Sequence, residues 1–202
     1  MLVVAGLGRS DELKLIPIGA GETATLPRGP IHRYQFAFWS PDGKRVVIAG
    51  PDAEGQRMLF VQDVEGGLPR PLTNVFILRP STADGRFIPV KLRQGEPWVL
   101  FPVDGGEPRT LPFVKTEEWP IVFSKDDKSL FVADRWMRMS FPIRVVRLDL
   151  ATGRREPWLE LGPPDRAGIG GMEGMTLTRD GRFYAYAYER NLSDLYLVEG
   201  LR

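Results

Sequence analysis

Apolar residues along this chain come in short runs, interrupted every few positions by Gly, Pro, Asp or Asn. One set of runs is Val46-Val47-Ile48, Phe87-Ile88, Leu130-Phe131-Val132 and Phe183-Tyr184-Ala185-Tyr186. A second set is Met58-Leu59-Phe60-Val61, Val99-Leu100-Phe101 and Val145-Val146-Arg147-Leu148. β-Branched and aromatic residues dominate both, and no apolar stripe recurs at helical spacing over a helix-length window. The pattern predicts a chain that is almost all β, with about 18 short strands in five consecutive antiparallel sheets.

What separates the runs repeats. A small hydroxyl residue, one spacer and Asp-Gly occur at Ser40-Pro41-Asp42-Gly43, Thr82-Ala83-Asp84-Gly85 and Thr178-Arg179-Asp180-Gly181, with Ser124-Lys125-Asp126-Asp127 as a variant. The first aspartates of these turns are 42, 42 and 54 residues apart. Asp-Gly between β-rich runs is a hairpin signal, because glycine takes positive φ without a Cβ clash, and Asp127 tolerates that conformation at some cost. A second anchor runs in step: Gly21, Gly67, Gly106 and Gly153 each precede Leu26, Leu72, Leu111 or Trp158 by five positions. Two anchors in register give four strands per repeat, the period and strand number of a propeller blade. A β-sandwich with evenly spaced turns is the alternative, and it gives no reason for two registers to repeat together.

The expected fold is therefore a partial β-propeller of about 4.5–5 four-stranded antiparallel blades. The blades are read as 1–30 (partial), 31–73, 74–112, 113–161 and 170–202, the last with three strands. Met1–Gly6 aligns with Arg45–Gly50, so the first blade is expected to lack its innermost strand, its N-terminus to be cut and the C-terminus to be natural. Leu195-Tyr196-Leu197-Val198 is expected as the third strand of the last blade, and the glycine-rich 161–174 stretch as a crossing between blades.

Phe38-Trp39-Ser40-Pro41-Asp42-Gly43-Lys44, followed by Gly66-Gly67-Leu68-Pro69-Arg70-Pro71-Leu72-Thr73, resembles the TolB-like family of WD40-like (PD40-type) propeller repeats. No Trp-Asp dipeptide ends a strand, so the WD40 signature itself is absent. The ending Leu192–Arg202, with Leu148-Asp149-Leu150-Ala151-Thr152-Gly153-Arg154, resembles the C-terminal propeller region of multidomain bacterial Ser/Thr protein kinases. That resemblance implies a sensory or scaffolding role in signal transduction beside a kinase domain. No Val-Ala-Ile-Lys, His-Arg-Asp or Asp-Phe-Gly equivalent is present in this chain.

Composition narrows the partners. Lys+Arg 27 against Asp+Glu 26 leaves no basic excess to hold nucleic acid or an anionic membrane. Apolar runs are far shorter than the roughly 20 residues a spanning helix needs, so direct membrane insertion is not expected. The compartment stays open: an extracytoplasmic part of a membrane-anchored parent, or otherwise cytoplasmic. There is no cysteine and His32 is the single histidine, which removes thiolate sites and multi-histidine metal sites; no cofactor or metal is expected. A Gly-x-Ser-x-Gly elbow is missing, and Gly168–Gly174 opens no helix as a dinucleotide loop would.

Chemistry is confined to residues just before innermost strands, which line one rim of a propeller. His32, Arg33 and Tyr34 stand at one such position, Glu117, Glu118 and Trp119 at another, and Glu173 at a third. Their mixture of charge and aromatic surface suits a small polar ligand or a protein. Arg135, Trp136 and Arg138 form a loop whose composition suits a protein contact. Each has a plain structural counterpart: capped blade ends, surface charge, or a loop folded on its own blade. The leading expectation is a non-catalytic ligand- or protein-binding module, not an enzyme by itself, which pairs as a homodimer through open propeller edges. The alternatives are a saccharide-acting cavity enzyme using the rim carboxylates, and a structural fragment without a ligand.

Overall fold

The computed structural model describes residues 2–5, 12–134 and 141–193. The described residues form 17 strands and no helix, so none is long and apolar enough to cross a membrane. The first sheet is β1 (Leu2–Ala5), β2 (Leu13–Ile16) and β3 (Ala24–Leu26); the second is β4 (Phe36–Trp39), β5 (Arg45–Pro51), β6 (Arg57–Asp63) and β7 (Arg70–Asn74). The third is β8 (Ile77–Leu78), β9 (Phe87–Lys91), β10 (Val99–Pro102) and β11 (Arg109–Thr110); the fourth is β12 (Trp119–Phe123), β13 (Ser129–Ala133), β14 (Ile143–Asp149) and β15 (Arg155–Leu161). The fifth, among the described residues, is β16 (Ile169–Leu177) and β17 (Tyr184–Arg190). Within each sheet the strands follow chain order and pair antiparallel, as the doubled repeat predicts. The expected strand Leu195–Val198 and the loop residues Arg135, Trp136 and Arg138 lie outside the described residues.

The sheets stack face to face, which explains why inner strands read as unbroken apolar runs. Val46, Ile48 and Phe60 pack with Leu13, Leu15 and Leu26 of the first sheet. Their neighbours Val47, Ala49, Leu59 and Val61 turn the other way, onto Leu78, Ile88 and Val90 of the third. Side chains alternate across a strand, so β5 is buried on both faces at about 1.5–3 kcal/mol per large aliphatic side chain. A third cluster joins Trp98 and Leu111 to Trp119, Phe131 and Leu148, and on to Met175 and Leu177 of the fifth sheet.

The repeated turn has a repeated hydrogen-bond network. The hydroxyls of Ser40, Thr82, Ser124 and Thr178 donate to the aspartate two residues on at 2.5–2.7 Å. The same oxygens accept the N–H of Arg45, Phe87, Ser129 and Phe183, and the aspartates accept the N–H of Lys44, Arg86, Lys128 and Arg182. That satisfies donors a four-residue loop would otherwise leave open. Asp127, which stands where the other copies have glycine, sits at φ 56°. Its carboxylate accepts the N–H of Ala83 at 2.6 Å and of Asp84 at 2.9 Å, clasping the third sheet's turn to the fourth's. Arg179 reaches further, donating to the carbonyls of Ser81 and Phe123. The turns of three sheets therefore meet, as they do when blades surround an axis.

One expectation about connections is corrected. Residues 169–174, read as part of a crossing, belong to β16 and pair with β17 through two register shifts. The glycines there accommodate bulges within a strand rather than a loop between blades.

Candidate functional site

The segment entering β4 is built against Gly50. His32 N–H donates to the Pro51 carbonyl and Gln35 N–H to the Ala49 carbonyl, so one extra residue is accommodated on the entering side. A Cβ on Gly50 would lie 2.1 Å from the Arg33 carbonyl oxygen, and only glycine permits that approach. Bulges of this sort re-aim side chains at sheet ends. The result is an open hollow of about 370 Å³ lined by Arg33, Tyr34, Gln35, Phe36 and Arg57.

Three of its lining residues each hold a buried polar atom without a hydrogen-bond partner. Tyr34 is 0% exposed and its hydroxyl has no partner; Gln35 Oε1 and Arg57 Nε are likewise buried without one. Burial raises the Tyr34 phenol above its ordinary value against the opposing pull of Arg28, and lowers the Arg57 guanidinium below its own. Arg57 Nη1 donates to the Phe76 carbonyl at 2.7 Å, and its guanidinium lies 5.4 Å from the centroid of the Phe36 ring. Phe36 itself is 52% exposed. His32 and Arg33 are exposed beside it.

The second expected group has a different fate. The Glu118 carboxylate is buried and gripped two-point by Arg155 at 2.6 and 2.9 Å, while also accepting the Lys115 N–H at 2.9 Å. Arg155 donates in addition to the Phe113 carbonyl. Trp119 is buried with its ring edge-on to Trp98 at 5.5 Å and under the Arg79 guanidinium at 5.0 Å. Trp98 Nε1–H donates to the Glu118 carbonyl, and Lys91 Nζ donates to the Thr116 carbonyl. Glu117 is exposed; the Lys91 ammonium is lowered by burial, and Glu117 acts against that shift. Glu173 is exposed on β16. The two groups thus take separate partners. Sequence reasoning missed Gln35, Phe36 and Arg57, although Gly50 beside Pro51, at the end of an apolar run, was the readable sign of a close backbone approach.

No protein-family model and no curated protein matches this chain. Solved structures do. A putative TolB from Agrobacterium tumefaciens is 14% identical, with a TM-score of 0.62 over 89% of this chain and 63% of that one. TolB from Acinetobacter baumannii is 15% identical, with a TM-score of 0.58 over 88% of this chain and 48% of its own. A chain of a nidogen/laminin complex is 14% identical, with a TM-score of 0.62, covering 92% and 69%. The chain spans less than two thirds of either TolB. At such identities the likeness shows the fold alone: this is a chain of TolB-like β-propeller architecture.

Proposed function

We propose that this chain is a non-catalytic binding module of propeller type whose ligand face is the hollow of Arg33, Tyr34, Gln35, Phe36 and Arg57. The observation that carries the reading is that Arg33 and Arg57, neither paired with a carboxylate among the described residues, share one open hollow whose lining residues Tyr34, Gln35 and Arg57 each hold a buried polar atom without a hydrogen-bond partner. Buried polar groups are nearly always paired, and an exception calls for a reason. Stability surrendered at a binding surface is such a reason. Glu118 and Trp119, by contrast, are engaged by Arg155, Trp98 and Arg79, which speaks against a cavity enzyme working through that carboxylate. The nidogen/laminin complex shows the architecture in a protein seen with a protein partner, which supports a macromolecular or chain-end ligand.

The finer reading, a sensory or scaffolding part of a Ser/Thr kinase-associated protein, is supported by the resemblance of Leu148–Arg154 and Leu192–Arg202. Kinase motifs in the reading frame immediately 5′ of this chain would bear it out, and their absence would end it. Pairing of two copies is proposed through the fifth sheet, where Tyr184 and Tyr188 are exposed and the rings of Tyr184, Tyr186 and Tyr188 follow one another at 6.4 and 6.1 Å. Light scattering that finds only monomer across the micromolar range refutes that pairing.

The binding reading is tested by two-dimensional ¹⁵N NMR of the chain against a fragment library. Shifts are expected to cluster on Arg33–Phe36 and on the Arg57 side chain. A library whose hits all fall elsewhere, or which has none, removes the reading.

A further inference from the structure

We propose a second ligand site, distinct from the hollow at β4 and independent of it: the groove between the fourth and fifth sheets takes an aromatic ring that carries an oxyanion.

The repeat supplies its own control. Paired with the residue seven positions after the turn hydroxyl stand Val61 in the second sheet, Leu100 in the third and Arg147 in the fourth. Five positions after the anchor glycines Gly67, Gly106 and Gly153 stand Leu72, Leu111 and Trp158. Val61 with Leu72, and Leu100 with Leu111, pack into the cores on either side of the third sheet. The fourth sheet puts a cation and an indole in place of this apolar pair, and Trp158 is 38% exposed. Aliphatic residues serve the architecture at both places, so folding alone gives no reason for a guanidinium there.

The replacement goes with an open groove of about 270 Å³ bordered by Lys125, Asp126, Phe131, Arg147, Trp158 and Asp180. The indole is fixed in it: Trp158 Nε1–H donates to the Gly181 carbonyl at 3.2 Å, and the Phe131 ring stands edge-on at 5.2 Å. The Arg147 guanidinium lies 6.0 Å from the Trp158 ring centroid. Every side-chain nitrogen of Arg147 reaches solvent, and none has a hydrogen-bond partner among the described residues.

The neighbouring acids are engaged elsewhere. Asp126 accepts from the Ser124 hydroxyl and the Lys128 N–H, and Asp180 from the Thr178 hydroxyl and the Arg182 N–H. Asp149 and Glu156 border Arg147 in a smaller cleft. The first accepts the N–H of Ala151 and Thr152, and the second faces Arg154 at 4.0 Å. Arg179, also on the groove, is spent on backbone carbonyls. Arg147 remains to meet an anion, helped by Lys125, which is 74% exposed and only loosely held by Asp180 at 3.5 Å.

A guanidinium grips an oxyanion two-point through adjacent N–H groups, and an exposed indole offers a flat surface on which a ring can stack. Neither aliphatic pair of the earlier repeats can do either. Two groups carry this chemistry, aromatic carboxylates and aryl phosphates.

The test follows the Trp158 indole N–H resonance, identified by its loss in Trp158→Phe, during titration with benzoate, phenyl phosphate, benzamide, cyclohexanecarboxylate and inorganic phosphate. Benzoate or phenyl phosphate is expected to shift it and to bind about tenfold or more tighter than benzamide, the margin of a charge-assisted contact. Whichever of the two binds tighter assigns the oxyanion. Cyclohexanecarboxylate and inorganic phosphate, which lack the flat ring, are expected to bind more weakly than their aromatic counterparts. Arg147→Leu installs the third sheet's own residue, and is expected to abolish the preference for the acid over the amide without lowering the melting temperature. Arg147→Lys keeps the charge but loses the fork, and is expected to weaken the acid about tenfold; it carries the test should the leucine variant melt early. Benzamide as tight as both acids, cyclohexanecarboxylate as tight as benzoate, or acid binding unchanged in a folded Arg147 variant overturns the proposal. So does a resonance that no probe moves, and none of these results bears on the hollow at β4.

Discussion

The segments entering β4 and β12 occupy equivalent places in alternate repeats and look alike in sequence, each setting two polar residues before an aromatic one. His32-Arg33-Tyr34 and Glu117-Glu118-Trp119 nevertheless do opposite things. Before β12 the carboxylate is matched, Glu118 with Arg155 and the Lys115 N–H, and the Trp119 ring packs on Trp98 and Arg79. Before β4, Tyr34 is fully buried with an idle hydroxyl, and Gln35 and Arg57 each hold an idle polar atom. One segment is a joint between sheets, and the other carries unsatisfied chemistry beside open space. Residue type alone cannot separate a joint from a site; the partners do.

The comparison breaks most easily at the joint. Removing Arg155 leaves the Glu118 carboxylate buried with only the Lys115 N–H, and losing one partner of a buried pair costs about 3 kcal/mol. Arg155→Ala should therefore lower the urea midpoint strongly, without changing ligand response at the β4 hollow. Glu118→Ala should cost less, because the Arg155 side chain is 30% exposed and water can take up its charge. A reversed order between these two variants would mean that the pair is not what holds this segment.

Next in size is Gly50→Ala. Its Cβ would press on the Arg33 carbonyl from 2.1 Å, and forcing the bulge aside should cost about 2 kcal/mol, the range of an overpacked core. Unlike Arg155→Ala, this change should also erase fragment shifts at Arg33–Phe36. An alanine variant that melts like the parent would show that the bulge yields at no cost.

The fold was legible because its information is local and repeated. Ser40, Thr82, Ser124 and Thr178 each fix the same turn through contacts within five residues, so spacing alone reports the sheets. The site was only half legible. Arg33 and Tyr34 lie in sequence beside β4, whereas Arg57 arrives from β6 and its role depends on Phe76 in the loop before β8. Asp127 is the sharper lesson. Read alone it is a poor substitute for glycine, yet it accepts two N–H groups from a turn more than forty residues earlier, which no local pattern announces. The strand character of Gly171 and Gly174 was hidden likewise, because glycine reads as loop until its partners on β17 are known.

Tyr34→Phe gives a smaller effect of opposite sign. The hydroxyl is buried without a partner, and deleting such a group should stabilise the chain by about 1 kcal/mol. Destabilisation by Tyr34→Phe would mean that the hydroxyl is satisfied within the fold, and the contrast with the paired Glu118 would lose its main support.

The smallest difference is expected where the two regions are built alike. Ser40 closes the far end of β4 and Ser124 the far end of β12, each donating to an aspartate and accepting a backbone N–H. Ser40→Ala and Ser124→Ala should each cost about 1–2 kcal/mol, and the two values should agree within about 0.5 kcal/mol. Acid should act on both turns with one sign. Hydrogen bonds from Ser40 and Ser124 hold Asp42 and Asp126 below the ordinary carboxylate range. The Thr178 hydroxyl takes Asp180 down to about 2, and at Asp84 burial works against the Thr82 and Arg86 bonds without overcoming them. A carboxylate whose pKa is lower folded than unfolded binds fewer protons in the native state, so its stabilisation is complete above the unfolded value, near 3.9, and fades as pH falls toward about 2. Urea midpoints should thus be flat above about pH 5 and decline below pH 4. Ser40→Ala and Ser124→Ala should each flatten that decline by a similar amount, since each frees one carboxylate from its hydroxyl. If only one of them alters the acid limb, the turns are not equivalent, and the contrast between the two regions begins in the turns rather than at the rim.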